Sequence, residues 1–151
     1  MAKIAFVFPG QGTQYAGMGK KLYDEVNDEN KKIIDKIFEN NEDVKKVIFE
    51  GTDEEIKNTK YAQPAIALFS VVLTKLLKEK GINADFVAGH SLGEYSSLYA
   101  AGVLNEIDTL KLISKRGEIM SNANISGGMA AILGLSATDA VSYTHLRAHE
   151  T

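Results

Sequence analysis

Residues 89–93 read Gly-His-Ser-Leu-Gly, a G-x-S-x-G. That spacing suits a nucleophile elbow, in which a serine sits on a tight, strained turn between a strand and a helix. The flanking glycines let backbones pass where a side chain would clash. Ser91 then projects at the positive end of the following helix, and the backbone N–H of Leu92 is placed to hold an oxyanion. The chain has no cysteine, so covalent acyl chemistry must use a hydroxyl or another side chain. Three histidines are present: His90, His145 and His149. His90 adjoins Ser91, but neighbours in an elbow point in different directions, which makes it a poor base for that serine. His145 and His149, four apart, have the spacing of two metal ligands on one helix face. No third ligand accompanies them, and no metal site is expected.

A second glycine-rich stretch, Phe8-Pro9-Gly10-Gln11-Gly12-Thr13-Gln14, follows the first apolar run. It reads either as a loop supplying a backbone donor beside the serine or as an ordinary tight turn. A phosphate loop fits worse, because the terminal Gly-Lys-Ser/Thr is missing.

These motifs need an alternating framework. Lys3 to Phe8 has the continuous apolar pattern of a buried strand. Helical spacing of Leu22, Val26, Ile33, Ile34, Ile37 and Phe38 predicts one or two amphipathic helices from Met18 to about Phe38, with a break near Asn27 to Asn30. Asn40 to Lys60 is charge-rich and reads as a solvated face. A short helix is expected there at the Thr52–Glu55 capping box. Pro64 suits a first helical position, opening a largely buried helix over Ala65 to Lys80 that Gly81 closes. A strand over Asp85 to Ala88, the elbow, a helix over Leu92 to Ala101 and another over Glu106 to Met120 follow. Met129 to Leu135 reads as a further strand, and Ser136 as the cap of a further helix. The order predicts an α/β fold with a parallel sheet.

The chain has 151 residues, 44% of them hydrophobic and 25% charged, as in an ordinary globular domain. A net charge of -3 argues against a nucleic-acid binder or a polybasic membrane protein. No run of eighteen apolar residues appears, and the apolar start ends at Pro9, too early for a signal peptide. A cytoplasmic location is the expectation. Nothing in the sequence specifies an oligomeric state.

FPGQGTQ near the start, YAQPA at residues 61–65, GHSLGEY at 89–95 and the arginine of SKRGEIM together resemble the malonyl-CoA:acyl-carrier-protein transacylases. The resemblance runs from about Lys3 to Val141. It implies an α/β-hydrolase-like parallel-sheet core over 1–124, and the first strand of an inserted ferredoxin-like subdomain in 125–141. It also implies acyl transfer through a malonyl-serine ester from malonyl-CoA to the phosphopantetheine thiol of acyl carrier protein. CoA thioester and carrier protein are then substrates, and no cofactor is implied. Ser91 matches the nucleophile, the backbone N–H groups of Gln11 and Leu92 the oxyanion donors, and Arg116 the arginine that grips the malonyl carboxylate. Bidentate pairing favours arginine over lysine there; without the resemblance Arg116 would read as a surface charge. His90 matches a pocket-side residue. Gln63 matches a position near the site, and reads equally as a helix-start residue capping the backbone ahead of Pro64.

The chain departs from the family after Val141. The family's catalytic histidine lies far downstream of its serine, and residues 142–151 (SYTHLRAHET) do not resemble the family's continuation. The expectation is an N-terminal fragment with a foreign tail and little or no transacylase activity. Alternatives are a polyketide-synthase acyltransferase domain, a general serine hydrolase, and a non-catalytic module that binds carrier protein or CoA.

Overall fold

The structure, a computed structural model, describes residues 2–39, 41–123, 134–139 and 141. The described residues form a two-stranded parallel sheet and seven helices. Strand β1 (Ala5–Phe8) pairs with β2 (Phe86–Gly89), Ala5 opposite Phe86 and Phe8 opposite Gly89. Between them run α1 (Met18–Glu25), α2 (Asp28–Phe38), α3 (Glu42–Glu50), α4 (Asp53–Lys57) and α5 (Thr59–Glu79). After β2 come α6 (Gly93–Ala100) and α7 (Glu106–Ser121).

The strand starts are clamped by one carboxylate. Asp85 accepts from the Lys3 ammonium at 2.8 Å and from the Ile4 N–H at 2.9 Å. The Lys3 bond and then the Ile4 bond hold its carboxyl below the usual range. Over residues 5–121 the predicted elements are present, with corrections. Strand β1 is not fully buried: Phe8 is enclosed, but Val7 is 75% exposed and Phe86 on β2 is 62% exposed. Side chains alternate across a strand, and α6 packs on one face of this pair only. Asp85 falls just before β2, because its side chain is engaged at the strand start.

Pro64 is not at a first helical position. Asn58 caps α5 by accepting from the Lys60 N–H at 2.9 Å, so the helix starts at Thr59 and Pro64 lies inside it. Proline there removes the N–H that would bond the Lys60 carbonyl. Within α5, Leu73 is exposed and faces a groove beside Val7. The charge-rich stretch holds a helix its pattern did not announce, α3, whose Val44 and Ile48 are buried while its charges face outward. The capping box at Thr52 and Glu55 forms, with both bonds present.

Helix α5 is the hub, touching α1, α3, α4, α6 and α7. Its Ala65, Ile66, Leu68, Val71 and Val72 meet Leu22, Ile34, Phe38, Ile48, Ile56, Leu110 and Ile113 in one core. The break between α1 and α2 falls at Val26 and Asn27, where Asn27 accepts from the Asn30 N–H at 2.9 Å. Ser136 accepts from the Asp139 N–H at 3.2 Å, as a cap does. No helix among the described residues is long and apolar enough to cross a membrane. Most of the strand expected at Met129 to Leu135, the ferredoxin-like strand, His145, His149 and the SYTHLRAHET tail lie outside the described residues.

Candidate active site

The two glycine-bearing loops leave adjacent parallel strands at their carboxyl ends, the edge where α/β sheets bind ligands. The His90 N–H bonds the Phe8 carbonyl at 3.0 Å, carrying the pairing one step past β2. Beyond it the chain turns sharply. Ser91 has φ 56°, making it the one non-glycine among the described residues in the left-handed region. Such strain is held only where the surroundings determine it, and here two glycines do so. A Cβ on Gly93 would lie 2.4 Å from the Phe8 carbonyl oxygen, and one on Gly89 would lie 2.1 Å from Gly93 backbone atoms. The sequence-predicted elbow is therefore present as a strand, a strained turn and a helix.

Helix α6 starts from this turn with no side-chain cap. The N–H groups of Gly93, Glu94 and Tyr95 bond the carbonyls of His90, Ser91 and Leu92. Among the described residues the Leu92 N–H has no acceptor, and neither does that of Gln11. Leu92 is fully buried as a side chain, which anchors the amide that precedes it. On the facing loop, Gly10 packs against the elbow: a Cβ there would strike the His90 ring at 2.4 Å. The His90 imidazole is thus spent against Gly10, away from a bond with Ser91. Gln11, next along, donates from its side chain to Thr59 Oγ1 at 3.2 Å, pinning the loop to the start of α5. The Gly12 N–H is taken by Gln14 Oε1 at 2.8 Å.

Helix α7 brings the cation. A Cβ on Gly117 would lie 3.0 Å from the Thr59 carbonyl and 3.3 Å from that of Lys60, so any larger residue would press on those carbonyls and need them to give by a few tenths of an ångström. The Lys60 carbonyl is the one that Pro64 leaves without its helical donor. Gly117 places its neighbour Arg116 over the elbow. Arg116 Nη2 donates to Ser91 Oγ at 3.0 Å, and Nη1 donates to Gln63 Oε1 at 2.6 Å. Its guanidinium carbon lies 5.9 Å from the centre of the Tyr95 ring, within cation–π range.

Arg116 therefore bonds both Ser91 and Gln63, the Leu92 amide is free in the same turn, and Gln11 lies on the loop that packs against His90. His90 is adjacent but turned to Gly10. Gln63 is not a helix-start cap; it lies in the second turn of α5, facing Arg116. Two further residues touch this constellation and were not singled out from the sequence, Tyr95 and Met120. For Met120 the signal was spacing, four residues after Arg116 on one face of α7, while Tyr95 stands in the first turn of the helix that follows Ser91.

The arrangement holds a serine hydroxyl in one turn with the free Leu92 amide and against a fixed guanidinium. That guanidinium can exchange its bond to Ser91 for a carboxylate. Among the described residues no group of three His, Cys, Asp or Glu side chains could hold a metal ion.

Comparison with known proteins agrees with this fold. The acyl transferase domain family matches residues 5–145. The malonyl CoA-acyl carrier protein transacylase of Bacillus subtilis (strain 168) is 49% identical over 139 residues, covering 91% of this chain and 44% of that protein. The crystal structure of acyl-carrier-protein-S-malonyltransferase from Bartonella henselae superposes with a TM-score of 0.84 at 36% identity, covering 99% of this chain and 49% of that one. A type II polyketide synthase acyl-carrier protein in complex with its malonyl-transacylase matches with a TM-score of 0.66 at 34% identity, over 83% of this chain and 41% of that one. The chain thus spans under half the length of these relatives. On the extent of the match, and with a strained serine facing an arginine at the sheet's carboxyl edge, the chain belongs to the acyl transferase domain family.

Proposed function

We propose that these residues carry the nucleophile, the oxyanion hole and the carboxylate grip of a malonyl-CoA:acyl-carrier-protein transacylase. Ser91 Oγ attacks the thioester carbonyl, the C–S bond breaks, and CoA leaves as the thiol with the serine proton. The malonyl ester on Ser91 is then attacked by the phosphopantetheine thiol of the carrier protein, which restores the hydroxyl. The Gln11 and Leu92 N–H groups receive the oxyanion in both steps. Arg116 exchanges Ser91 for the free carboxylate of the malonyl group, with Gln63 keeping the guanidinium oriented. His90 shapes the loop contact at Gly10. The strands β1 and β2 belong, on this reading, to a hydrolase-like core over 1–124, and 125–141 opens a ferredoxin-like subdomain.

The observation that carries the reading is the Arg116–Ser91 bond, because a cation held on the nucleophile selects an acyl group bearing its own anion. Malonyl-CoA as substrate and carrier protein as partner are supported by the names of the relatives.

Turnover of this chain is expected to be slow. A guanidinium cannot take the serine proton. No histidine or carboxylate bonds Ser91 among the described residues, and a serine without its base loses orders of magnitude in rate.

Intact-mass measurement after long incubation with malonyl-CoA or acetyl-CoA tests both statements. A slow malonyl adduct that exceeds the acetyl adduct and disappears in Ser91→Ala is expected. An adduct that persists in Ser91→Ala, or no preference for malonyl, would sink the functional reading. Stoichiometric acylation within seconds would sink the expectation of slow turnover alone.

A further inference from the structure

The Gln63 carboxamide joins two chemically opposite neighbours. Arg116 has only donors to offer, and the Met120 thioether only an acceptor. An amide bridges such a pair in one orientation alone. Gln63 Oε1 accepts from Arg116 Nη1 at 2.6 Å, and Gln63 Nε2 donates to Met120 Sδ at 3.2 Å. A glutamate in its place could not donate to the sulfur, and a second donor would repel the guanidinium.

Gln63 is 1% exposed, so water does not replace either partner. Among the described residues Met120 is the single acceptor for its Nε2. Both partners stand on α7, one turn apart, with Gly117 between them seating the helix on the α5 carbonyls. The amide is therefore gripped by one turn of one helix, and Arg116 is fixed through it relative to Ser91.

We propose that Met120 is a positioning residue for acyl-group selection. Its sulfur holds the Gln63 amide, which holds the Arg116 guanidinium ready for a carboxylate. This rests on the carboxylate role of Arg116. An acyl group without a carboxylate makes no use of that guanidinium, so the effect of Met120 is confined to carboxylated ligands. Removing the sulfur leaves a buried donor unpaired, and the amide relieves this by leaving its place and loosening Arg116.

The test is calorimetric binding of malonyl-CoA and acetyl-CoA to the full chain, alongside melting temperatures. The variants are Met120→Leu, which fills the space without an acceptor, Met120→Gln, which restores one, and Arg116→Ala. The expected result is an affinity for malonyl-CoA about 5-fold weaker in Met120→Leu, the worth of one ordinary hydrogen bond, with acetyl-CoA binding changed far less. Met120→Gln should recover the malonyl preference. Equal loss for both ligands, or no loss for either, would overturn the positioning role. If Arg116→Ala erases the malonyl preference and Met120→Leu leaves it intact, only the inference about Met120 fails. Where the parent shows no malonyl preference, or Arg116→Ala does not alter it, the carboxylate reading falls and takes this inference with it.

Discussion

Replacing Ser91 by glycine should leave a more stable protein than replacing it by alanine. Both substitutions delete the hydroxyl, so both remove the bond from Arg116 Nη2, and Arg116 keeps Gln63 in each. They differ in the Cβ, which alanine retains at φ 56°. Holding an L-residue in the left-handed region costs about 1–2 kcal/mol, which glycine escapes. Glycine in turn gives up about 0.5–1 kcal/mol of unfolded-state freedom. At the middle of both ranges Ser91→Gly is ahead by roughly 0.75 kcal/mol, or about 1.5–3 °C in melting temperature for a chain of this size. Parallel urea titrations and calorimetric melts of the two variants measure it. A glycine variant equal to or less stable than the alanine variant would show that the turn is not strained, and the elbow reading would lose its physical basis.

Gly93→Ala should cost about 3 kcal/mol or more, despite the better helix propensity of alanine, because its Cβ would meet the Phe8 and Pro9 carbonyl oxygens at 2.4 and 2.8 Å and backbone cannot rotate aside. Denaturant midpoints near the parent value would contradict that close approach. Tyr99 should govern alkaline stability: burial first, then Glu106 and Glu79, push its phenol from an ordinary 10.0 up to about 12. The fold favours the protonated phenol, so this contribution is complete below pH 10 and drains away as pH climbs toward about 12. Over that window Tyr99→Phe should lose stability less steeply than the parent, and parallel slopes would refute the assignment.

Much of the framework was legible because its signals were local. Strand β1, strand β2 and the helix at Gly93 announced themselves through apolar runs ended by glycines, and the α1–α2 break through the cap at Asn27. Helix α3 was hidden because two buried residues, Val44 and Ile48, are enough to anchor nine, and the charges around them resemble any solvated segment. The start of α5 was misjudged because proline announces a first turn more loudly than Asn58 announces a cap, although the cap decided the boundary. The strained turn at Ser91 could be read from five adjacent residues. The Arg116–Gln63–Met120 chain could not, since it depends on how closely α7 approaches α5, a distance set by Gly117 and the carbonyls beneath it.

The pairing of β1 with β2 carries a consequence for how the protein is made. Their partner residues, such as Ala5 and Phe86, are about 80 positions apart, and five helices lie between them. At ordinary synthesis rates of about 5–20 residues per second, β1 leaves the ribosome roughly 4–16 s before its partner exists. Helices α1 to α5 have local contacts to form meanwhile, but the turn at Ser91 has nothing to brace it until Phe8 and Pro9 return from the far end of the chain. The turn at Ser91 thus acquires its geometry only once both strands are made. A nascent chain waits with Phe6, Val7 and Phe8 unpaired, an apolar strand open to capture over that interval.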